Sequence, residues 1–398
     1  MLRVVYENER FVAPPEHASH LARLLGGNLG VDAEGLRIVR VAGSLRMPDG
    51  STLCIRSRKA PLACLLAWAA YAYPELSALR HVSCIDQGGD QGDVTAALAR
   101  VFCDELNRAI QASGLLRHYR RQEQVSSVIR GRIDFARMSR MGANLAQVPC
   151  VVFSRLPNTP LNGLFAAALA SIRRVPIMRA AAGPGLGPLT ALFAEVQPRI
   201  DPALISGKLA LSRLERPFGP SAALALLLAS AHGLTEGAKV SGLAFLINLA
   251  NLFERAVTRS LTRSLPDARA KVRLGCRRGP ANASSHAGRM EIDVLLERFD
   301  GPRPVVVDAK YKTSPASANL QQMLTYCWMT GARQAVLVFP SGMLTDRRPF
   351  HYVNADGSQV MIHLVEFDTE AKSIEGWQAA GDELVERVRA TVDAARQS

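Results

Sequence analysis

The sequence predicts an α+β protein: a mixed N-terminal domain with a β-hairpin, a helical middle, and a C-terminal core of strands and helices. Three observations carry this. Strand-like apolar runs gather towards the two ends of the chain, at residues 36–57 and 289–340, while residues 189–265 read as mostly helical. The length of 398 residues exceeds one ordinary domain. A hydrophobic fraction of 48% is enough to bury a sizeable core. The boundaries expected from these shifts are 1–150, 151–235 and 236–398.

The elements follow in order. Residues 36–57 alternate around Met47-Pro48-Asp49-Gly50, a turn signal, and so predict a hairpin. Residues 61–73 and 93–113 predict helices, the second with an apolar stripe at Val94, Leu98, Val101, Phe102, Leu106 and Ile110. Residues 160–174 predict another helix, and the Gly183 to Pro188 run interrupts the pattern. That run is no Walker loop, because no strand precedes it and no Lys-Ser/Thr follows, so the chain is not expected to hydrolyse nucleotide itself. From Gly242 to Val257 the chain has long apolar helical character, with Glu254 its first acidic residue. Residues 374–392 close with an amphipathic helix carrying Trp377, Leu384, Val388 and Val392.

The most informative stretch is GRMEIDVLLERFDGPRPVVVDAKYK, residues 288–312. Two apolar runs flank Phe299-Asp300-Gly301-Pro302-Arg303-Pro304, a segment rich in turn formers, so they can pair as an antiparallel hairpin. Asp293 can then lie beside Asp308. Side chains two apart on a strand share a face, so Asp308 and Lys310 point the same way. Two close carboxylates repel unless a cation sits between them, and hard divalent ions take such oxygen ligands. This is the layout of a metal-dependent phosphodiesterase site, although a D-x-K triplet alone fits a solvated ion pair equally well. Context favours the site: Val305-Val306-Val307 reads as a buried strand, and Gln322 and Tyr326 follow at i and i+4 on one helical face before a strand at 334–340.

That order of helix with Glu, strand with Asp, strand with D-x-K and helix with Q-x-x-x-Y resembles the PD-(D/E)xK nuclease core. Its flanks resemble the McrC family, the nuclease subunits of McrBC modification-dependent restriction systems. The match rests on Leu252-Phe253-Glu254, Glu291-Ile292-Asp293, Val307 to Lys312 and Gln322 to Tyr326. Weaker matches are the hairpin from Gly43 to Arg58, Ile129-Arg130-Gly131-Arg132-Ile133-Asp134-Phe135 and Thr159-Pro160-Leu161-Asn162. One departure is that Glu291-Ile292 stands before Asp293 where the family often has proline.

The resemblance implies a restriction-endonuclease-like C-terminal core in which Asp293 and Asp308 bind Mg²⁺, or Mn²⁺, with Glu254 in or beside the metal shell. Lys310 would then position or deprotonate the attacking water, and Gln322 and Tyr326 would face DNA or brace Lys310, although at i and i+4 they fit a structural hydrogen bond across their helix equally well. It further implies an AAA+ GTPase partner of the McrB type, docked through the N-terminal domain, with Arg130, Gly131, Arg132 and Asp134 the residues to test. The wider cluster of Arg117, Arg120, Arg121, Arg137 and Arg140 fits a solvated face, a DNA track or a docking surface. Lys271, Arg273, Arg277, Arg278 and Arg289 lie close to the site and suit phosphate.

A formal net charge of +13 suits a polyanionic partner such as DNA. Seven scattered cysteines without C-x-x-C read as reduced thiols in a cytoplasmic protein. No signal peptide or membrane span is expected, since the apolar stretches fall short of the ~20 residues needed. His17 and His20, the one ligand-spaced pair, read as surface. Two other functions stay open: a non-catalytic adaptor of a motor subunit, and an autonomous RecB-like repair nuclease.

Overall fold

Valine-rich runs such as Val305-Val306-Val307 are short, apolar and β-branched, and they form central strands buried on both faces. A computed structural model describes residues 2–57, 62–73, 94–141, 146–201, 211–229, 244–275, 289–299, 301, 303–353 and 357–397. The chain divides into two compact units, one of Met1–Val94 with Ala231–Ser398 and the other of Thr95–Ser230.

The first unit begins with β1 (Leu2–Tyr6), β2 (Arg10–Phe11), α1 (Pro15–Leu25), β3 (Leu29–Asp32), β4 (Gly35–Ile38), β5 (Val41–Arg46), β6 (Thr52–Arg56) and α2 (Leu62–Ala72). The second runs through α3 (Val94–Ser113), β7 (His118–Ser126), β8 (Arg132–Ile133), α4 (Phe135–Arg140), β9 (Val148–Leu156), α5 (Pro160–Arg174), α6 (Pro176–Ala182), α7 (Leu186–Leu192) and α8 (Gly219–Ala229). The chain then returns to the first unit with β10 (Ala244–Asn248), α9 (Leu249–Ser264), β11 (Ala268–Gly275), β12 (Arg289–Leu296), β13 (Val305–Ala309), α10 (Ser317–Thr330), β14 (Gln334–Pro340), β15 (Phe350–Val353), β16 (Gln359–Phe367) and α11 (Ile374–Gln397).

Within the first unit, one sheet has the order β1-β6-β5-β10 and another the order β11-β12-β13-β14-β16-β15. In the larger sheet β13, β14 and β16 run parallel, and β11, β12 and β15 pair antiparallel to their neighbours. A small sheet β2-β4-β3 completes the unit, and the second unit has its own sheet, β7-β9-β8.

The contacts divide the chain differently from the expected 1–150, 151–235 and 236–398. β10 pairs with β5 more than two hundred residues upstream in numbering, Leu246 facing Gly43, and so returns the C-terminal part to the N-terminal hairpin. That hairpin, β5 with β6, forms as expected, as do the helices over 62–72, 94–113 and 160–174. The stretch from Gly242 was expected to be helical throughout, but Ala244–Asn248 is a strand, and the helix starts only at Leu249. The physical reason is Asn248, whose side chain accepts hydrogen bonds from the Ala250 and Asn251 amides at 3.0 and 3.1 Å and so caps α9. His17, expected at the surface, is buried, with Nε2 3.6 Å from Asp49 Oδ2. No helix among the described residues is long and apolar enough to cross a membrane.

An aromatic cluster joins the helices to the larger sheet. Trp68 of α2 stacks on Trp377 of α11 at 5.2 Å between ring centres, and both are fully buried. Phe253 of α9 and Tyr311, just past β13, pack against each other and against Trp68. Phe367 at the end of β16 fills the space between Phe253 and Trp377. Replacing the Asn248 cap by alanine leaves two first-turn amides without their acceptor, and is expected to lower stability by about 1 kcal/mol in urea denaturation.

Candidate active site

β12 and β13 pair antiparallel with Val294 opposite Val307 and Leu295 opposite Val306. One further step of that register sets Asp293 across from Asp308, as the hairpin reading expected. The Ala309 amide donates to Asp293 Oδ2 at 3.0 Å, which ties the first carboxylate to the second strand. Asp308 is 2% exposed, and Lys310 Nζ lies 2.5 Å from its Oδ2, so the two side chains do share a face. The contact is close but poorly aligned as a hydrogen bond, and this buried oxygen has no other acceptor role. The Lys310 amide donates to Val338 O at 2.8 Å, which extends the β13–β14 ladder past Asp308 and holds the lysine at the sheet's end.

Burial pushes the Asp308 carboxyl up to about 6, the Asp293 charge adds to the rise, and Lys310 and Lys271 oppose it. Glu254 lies on α9 beside Phe253, with its side chain 27% exposed. It is ion-paired with Lys271 of β11, whose Nζ is also 3.7 Å from both Asp293 Oδ1 and Glu291 Oε1. Among the described residues, no three His, Cys, Asp or Glu side chains converge closely enough, as they stand, to hold an ion. The oxygen-only donor set nevertheless suits a hard divalent cation, and Asp308 Oδ2 is buried without an aligned hydrogen bond.

Gln322 and Tyr326 lie on one face of α10 and hydrogen-bond to each other, the structural role that their spacing also allowed. Gln322 Nε2 donates to the Tyr326 hydroxyl at 2.7 Å, and that hydroxyl donates to Glu291 O at 2.7 Å. The pair therefore holds β12 two residues before Asp293. Lys312 Nζ reaches Asn319 Oδ1 of the same helix at 3.4 Å. Arg277 and Arg278, expected to contact DNA, lie outside the described residues.

Sequence reasoning missed two groups. It read Lys271 as a phosphate contact, whereas the fold sets its amine among carboxylates. Glu7 was not considered: buried at the end of β1, it accepts from the Arg40 amide at 2.9 Å and from the Tyr311 hydroxyl at 3.3 Å, and burial raises its carboxyl above the ordinary range. Both depend on pairings between distant segments and left no local signal.

In the second unit, Arg130 and Arg132 are exposed. Gly131 has φ +78°, and a Cβ there would lie 2.5 Å from Val151 O, so the turn demands glycine. Asp134 caps α4 by accepting from the Arg137 amide at 3.0 Å. Of the four expected docking residues, Gly131 and Asp134 therefore shape the backbone, and Arg130 and Arg132 are exposed. On the adjoining sheet Tyr119 pairs with Arg155 and Arg121 with Phe153, all on one face, with Tyr119 70% and Phe153 62% exposed. Part of the arginine cluster is already matched, since Arg121 and Arg137 both approach Glu123.

The sequence profile of the family described as McrBC 5-methylcytosine restriction system component matches residues 36–340. No curated protein matches the chain. Among solved structures, a chain of a half-complex from the tetradecameric assembly of Thermococcus gammatolerans McrB AAA+ hexamers with bound McrC has 19% identity and a TM-score of 0.68, covering 96% of this chain and 100% of that one. A chain of the Thermococcus gammatolerans McrBC complex, solved by cryo-EM, has 18% identity and a TM-score of 0.50, covering 66% of this chain and 88% of that one. At these identities the likeness is one of fold.

Asp308 binds its proton more tightly in the fold than its ordinary value of 3.8 would allow, so its contribution to stability is full below that pH and lost as pH rises through about 6. In urea denaturation of metal-free protein with EDTA, Asp308→Asn is expected to flatten the loss of stability between these values.

Proposed function

The chain belongs to the McrBC 5-methylcytosine restriction system component family, and on that premise we propose that it is the McrC-type subunit, a metal-dependent endonuclease that cuts modified DNA together with an AAA+ GTPase partner. The observation that carries this reading is the meeting of Asp293, Asp308 and Lys310 at the end of two paired strands, with Glu254 on the neighbouring helix. This arrangement supports a PD-(D/E)xK core built on β11 to β14 and α9.

Asp293 and Asp308 would hold Mg²⁺ or Mn²⁺, with Glu254 joining them from α9. The bound ion supplies charge stabilisation to the phosphate under attack. Lys310, beside Asp308 and 18% exposed, would orient the attacking water and take or steer its proton. Tyr326 and Gln322 keep β12 fixed, so the two aspartates hold their spacing through the reaction. The paired strands fix the backbone of the site, and side chains would have to close in for Glu254 to join the two aspartates.

The solved complex of similar fold contains McrB AAA+ hexamers with bound McrC, and a partner of that kind fits this chain too. The exposed Arg130 and Arg132, on a loop held by Gly131 and Asp134, are the residues assigned to docking and to stimulating GTP hydrolysis.

With the partner, GTP and Mg²⁺, the wild-type chain is expected to cut 5-methylcytosine-containing plasmid and to spare unmodified plasmid. Asp308→Ala and Lys310→Ala should each lose at least about a hundredfold in cutting. Stimulated GTP hydrolysis with no cutting by the wild type would instead make the chain a non-cleaving regulator. Replacing Arg130 and Arg132 together by alanine should weaken stimulation of the partner's GTP hydrolysis with the melting temperature unchanged. Gly131→Ala should weaken it through loss of the turn, and should lower the melting temperature as well.

A further inference from the structure

Lys271 sits where β11 leaves its regular pairing. Ala270 faces Val294 and Val272 faces Ile292, so Lys271 falls opposite Asp293, yet its φ is +53°, a left-handed value that a lysine rarely adopts. Such backbone persists only where the surroundings hold it, and it gathers at functional positions. Here it directs the amine into an ion pair with Glu254 and to 3.7 Å from both Asp293 and Glu291. Close by, Asp308 buries an oxygen that accepts no aligned hydrogen bond. The ammonium thus stands among the same carboxylates that the nuclease reading assigns to a divalent cation.

We infer that Lys271 is an internal counter-ion, filling the cation position of the metal-free site and giving it up when the divalent ion binds. The inference rests on the proposed metal site and adds its regulation. An ammonium and a divalent ion cannot share Glu254 and Asp293, because they would repel at that range and compete for the same oxygens. The lysine side chain is long and 44% exposed, so it can swing into water without disturbing the buried strands. Its release also frees one positive charge beside the site, where a DNA phosphate would arrive.

The test is Mn²⁺ binding to the full metal-free chain, followed by calorimetry and by the electron paramagnetic resonance signal of free Mn²⁺. Lys271→Met removes the competitor, so it is expected to bind Mn²⁺ three- to tenfold more tightly than wild type, while Lys271→Arg keeps the charge and stays near wild type. The sign separates this role from a structural one, since damage to the site would weaken binding. Unchanged or weaker binding in Lys271→Met, with wild type still binding, overturns the counter-ion and leaves the metal site standing. No binding by wild type or by Lys271→Met overturns both. In the absence of metal, Lys271→Met should lower the melting temperature and Glu254→Gln in the same chain should recover part of the loss; additive losses would also count against the pair.

Discussion

The register between β12 and β13 is the constraint on which the rest of the site depends. Val294 opposite Val307 brings Asp293 and Asp308 together, and a slip of one residue would turn one aspartate to the opposite face of the sheet. Several contacts fix that register. The Ala309 amide binds the Asp293 carboxylate, Tyr326 binds Glu291 O, and the Lys310 amide continues the ladder to β14. The loss of any one would loosen two aspartates and a lysine at once.

The aromatic core explains why the site keeps its shape although its polar residues repel. Phe253 and Tyr311 face the cluster around Trp68 and Trp377, and each is the chain neighbour of a site residue, Glu254 or Lys310. Packing on one side therefore positions charge on the other. Tyr311 is further fixed by Glu7, so the N-terminal sheet contributes to the site from more than three hundred residues away in sequence. Against that rigid frame, Lys271 and Lys310 offset part of the carboxylate charge, while burial first and the neighbouring Asp293 second still raise the Asp308 carboxyl.

The second unit divides its motif between shape and contact. Gly131 and Asp134 serve the backbone, one by its positive φ beneath Val151 O and the other as a helix cap. Arg130 and Arg132 are exposed, as are Tyr119 and Phe153 on the adjoining sheet face. Aromatic and arginine side chains together are what protein interfaces use as anchors, so this surface suits a docking role.

The sequence by itself determined the local elements and which polar side chains share a face. The β5–β6 hairpin, the helix at 160–174, the strand at 334–340 and the sharing of one face by Asp308 and Lys310 all follow from periodicities of 2 and 3.6 and from turn residues. It read Asn248 as helix interior, because an apolar run of that length fits strand and helix alike until the cap and the partner strand are known. Only the tertiary structure decided that β10 returns to β5, that Tyr326 binds the backbone of β12, and that Lys271 lies among carboxylates. Each of these joins segments far apart along the chain or turns on a single backbone angle, and local pattern carries no information about either.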